Sequence, residues 1–221
     1  MSTQHQVREG WARGPAGLEL VDPPGYASSA LGVIDAVFSI RASYSATRNV
    51  VTRYASHHDV VDIGFLPNNP DDHDLVALRD NLTNQSDQQL IDLFGSAQHT
   101  GRRLKATAVR DAAINLVAAG IRNRADLASL DNDPDQRRQA AAAWTGVVGL
   151  GDATWRYLRI LMGSQDVKPD RMILGWLQGV LGYRPSTGEA VELVAELAEQ
   201  LNQPQRVVEH AIWRYQSKRR S

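Results

Sequence analysis

Val147-Val-Gly-Leu-Gly-Asp-Ala-Thr-Trp-Arg-Tyr-Leu158, running on to Val167-Lys-Pro-Asp170, is the stretch on which the fold of this chain turns. Gly149 and Gly151 flank a single apolar residue, Leu150, between a helical pattern that ends near Thr145 and another that opens near Asp152. Glycine alone takes a left-handed backbone without strain, so the spacing predicts a tight hairpin between two helices. Amides in such a turn, at the start of a helix, are free to meet an anion. Asp170 then stands where an N-cap for the next helix is expected.

Working outward, the pattern is helix after helix. Upstream, a helix is predicted from Ser28 or Ser29 through Leu31, Ile34, Val37, Phe38 and Ile40. It resumes through Tyr44, Thr47, Val50, Val51 and Tyr54, with Ser39–Ser45 as the interruption and His57-His58-Asp59 as the end. The stretch to Asp74, with Pro67 and Pro70, reads as loop with a short extended piece. Helices follow over Leu75–Leu82, over Leu90–Phe94 behind a Ser86…Gln89 capping box, and over Lys105–Ala119 closed by Gly120. Asn123–Leu130 and the alanine-rich Pro134–Thr145 lead into the hairpin. Met172–Leu181 ending at Gly182, Thr187–Leu201 and Pro204–Gln216 complete the chain. Strand patterning is scarce and no long period repeats, so the expected class is all-α and not a solenoid.

Before Ser28, Gly10, Gly14, Pro15, Gly17, Pro23, Pro24 and Gly25 punctuate too often for a helix. Residues 1–27 read as an arm lying on the surface and ordered by docking. The remainder, 28–221, reads as one helical domain of two interleaved lobes: about 60–185 with the hairpin at 146–154, and 28–59 with 186–221.

The chain has 221 residues, 43% hydrophobic and 22% charged, ordinary for one sizeable globular core. Its net charge of −1 says little about partners, because a polyanion responds to a local basic face and not to the total. With no cysteine, disulfides, thiolate zinc sites, iron-sulfur clusters and thiol nucleophiles are all excluded. His57, His58, His73, His99 and His210 lack metal-ligand spacing, so no metal and no cofactor are expected. Neither a P-loop nor a nucleophile elbow is present. No apolar run reaches membrane-spanning length and no signal-peptide core opens the sequence, so a cytoplasmic location without membrane contact is expected.

The order hairpin, helix, short loop, aspartate, helix resembles the helix-hairpin-helix Gly/Pro/Asp superfamily of base-excision DNA glycosylases, the group of endonuclease III. The resemblance covers about Trp144 to Gly182. Gly149, Leu150, Gly151 and Thr154 match the family hairpin; Asp170, with Ile173 after it, matches the catalytic aspartate. Val148 stands where the family has proline, and Ala153 where its bifunctional members carry the sugar-attacking lysine. The family's iron-sulfur loop is missing.

The resemblance therefore implies a two-lobed helical fold and a monofunctional glycosylase acting on double-stranded DNA in base-excision repair. Such an enzyme hydrolyses the N-glycosidic bond without β-lyase chemistry. Asp170 would stabilise an oxocarbenium-like state and orient water. Gly149, Leu150, Gly151 and Thr154, with Arg156 and Lys168, would hold the phosphate backbone. Arg41 or Tyr44 would fill the gap left by an extruded base, Ala42 standing where many relatives use glutamine. Trp155 and Trp176, with Trp144 and Tyr157, offer flat faces for that base.

Basic residues cluster at Gly101-Arg-Arg-Leu-Lys105 with Arg110, at Arg156 and Arg159, and at Lys218-Arg-Arg220; the acidic series Asp71, Asp72, Asp74, Asp80, Asp87 and Asp92 is expected to face elsewhere. Each feature has a plainer reading. The glycines suit any tight turn, Asp170 suits any helix cap, and aromatics at helical spacing suit a core. Two further functions stay open: a non-catalytic DNA-binding or damage-sensing relative, and a protein-interaction module on the same scaffold.

Overall fold

A computed structural model describes residues 17–23, 25–60 and 70–219. The arm before Gly17, the loop positions 61–69 with Pro67, and Arg220 lie outside the described residues.

The chain divides into two compact units, Pro24–Ser164 and the segment from Gln165 onward together with the N-terminal stretch up to Pro23. The first unit carries α1 (Ser29–Phe38), α2 (Tyr44–His57), α3 (Leu75–Leu82), α4 (Asp87–Phe94), β1 (His99–Thr100), β2 (Arg103–Leu104), α5 (Lys105–Ala118), α6 (Arg124–Ser129), α7 (Pro134–Thr145) and α8 (Asp152–Leu161). The second carries α9 (Arg171–Leu181), α10 (Thr187–Gln200) and α11 (Gln205–Lys218).

All ten residues of α1 are buried, Asp35 included, whose Oδ2 accepts the Tyr26 hydroxyl at 2.6 Å. The helix packs against α2, α3, α5 and α8. Its start is fixed twice: Ser28 Oγ accepts the Leu31 N–H at 3.2 Å, and the Asp71 carboxylate accepts Ser29 N–H at 2.9 Å and Arg124 N–H at 2.8 Å. Phe38, Tyr54 and Phe94 form the aromatic centre, with Tyr54 and Phe94 stacked at 5.4 Å and 12°.

These contacts correct the expected lobes. Helices α1 and α2 belong with the central helices and not with the C-terminal ones, because the buried face of α1 is satisfied by α5 and α8.

Local capping chemistry sets most boundaries. Ser43, Asp74, Asn123, Asp133 and Asp170 cap with their side chains, and Ser86 and Ser186 form full capping boxes. Pro204 serves as the N-cap of α11, one position before its expected place in the first turn. The ribbon β1–β2, antiparallel with Thr100 opposite Arg103, was not foreseen from the sequence.

In the second unit, Val167, Ile173, Leu177, Val194, Leu197, Val208 and Ile212 form the core. The stretch 17–23 docks on α11 through Glu19 with Arg214 and Lys218, and through Asp22 with Arg206. Solvent screens exposed ion pairs of this kind, so each contributes little to stability. Among the described residues no helix is long and apolar enough to cross a membrane.

Candidate nucleic-acid interface and carboxylate site

Between α7 and α8 the chain reverses over Val147, Val148, Gly149 and Leu150. The Leu150 N–H donates to the Val147 carbonyl at 3.0 Å, and Gly149 has φ +92°, which defines a type II turn with Val148 at its second position. Val147 and Leu150 point inward, while Val148 is 63% exposed. Gly149 is required twice over. Its φ disfavours any side chain, and a Cβ there would stand 2.5 Å from Thr100 Cγ2 and 2.8 Å from the Thr100 carbonyl oxygen. Thr100 Oγ1 also donates to the Gly149 carbonyl at 2.8 Å, so the ribbon holds the turn. Gly151 differs: its φ of −141° is extended backbone, and a Cβ there meets nothing within 4 Å.

The supply of free amides is narrower than the Gly-x-Gly pattern suggests. The Leu150 N–H closes the turn and the Gly151 N–H donates to Thr154 Oγ1 at 3.1 Å. Thr154 Oγ1 in turn donates to the Gly151 carbonyl and accepts from Trp144 Nε1 at 2.9 Å. Leu150, Gly151 and Thr154 thus form a closed knot that supports the turn, a correction to their expected role as phosphate contacts. The N–H groups of Val148, Gly149, Asp152 and Ala153 have no acceptor among the described residues. Asp152, which would repel an anion, pairs with Arg156 Nε at 2.8 Å.

Two further loops are tied to this turn. Lys105, only 2% exposed, directs Nζ to the carbonyls of Phe38 (2.9 Å) and Ile40 (2.6 Å) and to Gln98 Oε1 (2.8 Å). It therefore caps the C-terminal end of α1 and joins the α1–α2 loop to the ribbon that holds Gly149. Burial pulls its ammonium pKa below the ordinary lysine value. Arg41 lies in the loop so anchored, exposed, with φ +52°. Tyr44, 56% exposed, opens α2. Arg102 occupies the exposed tip of the ribbon beside Gly101. A cleft of about 600 Å³ between α2 and the end of α4, lined by Asn49, Arg53, Phe94 and Gln98, shares Gln98 with this network.

Most of the expected basic clusters are internally neutralised. Arg103 and Arg110 both pair with Asp111, Arg159 is buried against Asp131, Arg156 holds Asp152, and Lys218 holds Glu19. Lys105 is a core residue. Arg41 and Arg102 remain without a partner among the described residues.

The aromatic candidates are also corrected. Trp155 is 3% exposed with its ring 6.3 Å from the fully buried Trp144, and Trp176 is 3% exposed in the core of the other unit. Neither offers a face to a base. Tyr157 is half-buried against the first core.

Asp170 caps α9. One oxygen, Oδ1, accepts both the Met172 N–H (2.7 Å) and the Ile173 N–H (3.3 Å), while Oδ2 accepts nothing among the described residues. The side chain is half-buried, next to exposed Arg171. Lys168, also half-buried, does not stand free, because Glu209 from α11 lies in its field. Burial pushes the Glu209 carboxyl up to about 8, and Asp170 and Asp166 push the same way. Glu209 was missed in the sequence: a glutamate inside Arg206–Trp213 has no periodic or spacing mark that sets it apart. Asp170 and the turn belong to different units. No cluster of three metal-ligating side chains occurs among the described residues.

A family model described as "Domain of unknown function (DUF8548)" matches residues 16–217, and the chain belongs to that family. No curated protein and no solved structure matches it.

Proposed function

We propose that this protein binds double-stranded DNA through the Val147–Leu150 turn and is a monofunctional glycosylase, hydrolysing the N-glycosidic bond of a modified base. The observation that carries the reading is the turn itself. Its Val148 and Gly149 amides and the first-turn amides of α8 lack acceptors among the described residues, and Arg102 stands on the ribbon that grips it. Backbone donors and isolated arginines suit phosphate, which is held without reading sequence. Arg41, on the loop fastened by Lys105, and Tyr44, at the start of α2, would enter the stack when a base leaves.

Asp170 supplies the chemistry. Capping occupies only Oδ1, so Oδ2 is left to face the positive charge that develops on a sugar, or to orient water. Ala153 provides no amine, so base release is not followed by strand cleavage through a Schiff base.

The second reading is a non-catalytic DNA-binding relative. It is favoured by the ordinary cap that Asp170 makes and by the internal pairing of most arginines.

Base release from duplexes carrying deaminated, oxidised or alkylated bases tests the enzyme. Asn caps helices as well as Asp does, so Asp170→Asn keeps the fold and is expected to lower release about 100-fold or more. No release from any duplex, or release unchanged in Asp170→Asn, removes the enzyme reading and leaves the binding one.

A further inference from the structure

Arg206, His210, Arg214 and Lys218 recur at every fourth position of α11. That spacing sets them along one side of the helix over about 18 Å. Glu209, the one carboxylate of α11, is buried and does not offset this side. Its anions come from the other end of the chain. Arg206 meets Asp22 at 2.9 Å, Arg214 meets Glu19 Oε2 at 2.8 Å, and Lys218 Nζ meets Glu19 Oε1 at 2.7 Å. Lys218, and after it Arg214, hold the Glu19 carboxyl below its usual value, so it stands as an anion at neutral pH.

The segment that brings these acids is lightly held. Leu18 is half-buried against the second core and Pro23 is buried, but Glu19, Leu20, Val21 and Asp22 between them are all exposed. Among the described residues, no backbone hydrogen bond is made by residues 19–22. Charge therefore keeps 19–22 on α11, and ion pairs this exposed give way to a more strongly charged competitor.

We propose that the Arg206–Lys218 side of α11 is a second contact surface for the phosphate backbone of duplex DNA, covered by Glu19 and Asp22 until a duplex displaces them. The choice of DNA as the polyanion rests on the duplex-binding reading above. Cations four residues apart rise about 6 Å from one to the next along the helix, a series that one small anion does not span and a charged strand does. Arginine and lysine in such a row hold phosphate without reading bases.

The test is fluorescence anisotropy of an unmodified duplex with the full chain in four forms: wild type, Glu19→Gln/Asp22→Asn, that pair combined with Arg214→Gln/Lys218→Gln, and Glu196→Gln/Glu199→Gln. The last makes an equal change of charge at exposed positions of α10. Uncovering is expected to tighten binding about tenfold at low salt and to steepen the log–log salt slope by about 2, one for each of Arg214 and Lys218. The gain disappears when Arg214 and Lys218 are replaced, and the α10 control stays within about twofold of wild type. Unchanged affinity in Glu19→Gln/Asp22→Asn overturns the inference, as does a gain that survives loss of Arg214 and Lys218, a gain matched by the α10 control, or no binding by any form. Unchanged affinity in a protein that Arg41→Ala and Arg102→Ala weaken leaves the turn reading standing. A gain that needs Arg214 and Lys218, in a protein indifferent to Arg41→Ala and Arg102→Ala, supports this surface and removes the turn as the DNA contact.

Discussion

Thr100 occupies the space that a side chain on Gly149 would need, and its hydroxyl donates to the Gly149 carbonyl at 2.8 Å. The glycine is thus a requirement of packing as well as of backbone conformation. Gly149→Ala is expected to cost about 1–2 kcal/mol for the left-handed backbone alone, and more for the displaced ribbon. Gly151→Ala, extended and open, is expected within about 0.5 kcal/mol of wild type. Urea unfolding of the two variants measures the contrast, and equal losses would contradict the assignment of their roles.

Val148 takes the second position of a type II turn, where proline is favoured. Val148→Pro is expected to stabilise the fold by about 0.4–1 kcal/mol through the unfolded chain. It also removes one amide that lacks an acceptor among the described residues. On the proposed DNA reading, duplex affinity is expected to fall in this variant; affinity unchanged removes Val148 from the proposed phosphate contacts.

Lys105 joins two loops through three acceptors. Lys105→Met leaves buried carbonyls unpaired and is expected to cost about 2–4 kcal/mol in thermal or urea unfolding. The same variant is expected to weaken duplex binding beyond its effect on folding, since Arg41 loses the anchor of its loop.

Stability should depend on pH from both sides. Burial lowers the pKa values of His58 and His73 below the usual histidine value, so their unfolded forms take protons first. Stability from these groups is full above about pH 6.5 and is lost as pH falls toward their folded values. Glu209 works in the opposite sense. Its folded value of about 8 lies above the ordinary 4.5, so its contribution is full below that and is lost as pH rises through 8. Glu209→Gln is expected to flatten the alkaline limb in denaturation curves and leave the acid limb in place.

Helices were legible because their signals are local. Ser86…Gln89 and Asp170 mark starts through hydrogen bonds to residues within three positions, and Pro134 through its fixed backbone angle at the first helical position, which any single sequence displays. The ribbon at His99–Leu104 was not, since two-residue strands carry no alternation to detect. The fate of each charge was equally hidden: Lys105 reads as one more cation in a basic run, yet its partners Phe38 and Ile40 lie 67 and 65 positions away. Trp155 and Trp176 show the same limit, because helical spacing marks a buried face without saying whether that face meets protein or ligand. At the turn, the pattern located Gly149 correctly but not its debt to Thr100, which comes from 49 positions earlier.

Binding of the full chain to an abasic-site duplex, followed by fluorescence anisotropy from low to high salt, tests the central claim most directly. The account predicts that affinity falls steeply as salt rises, and that Arg41→Ala and Arg102→Ala each weaken binding and reduce the log–log slope by about 1. Binding that ignores salt, or a slope unmoved in both variants, would contradict it.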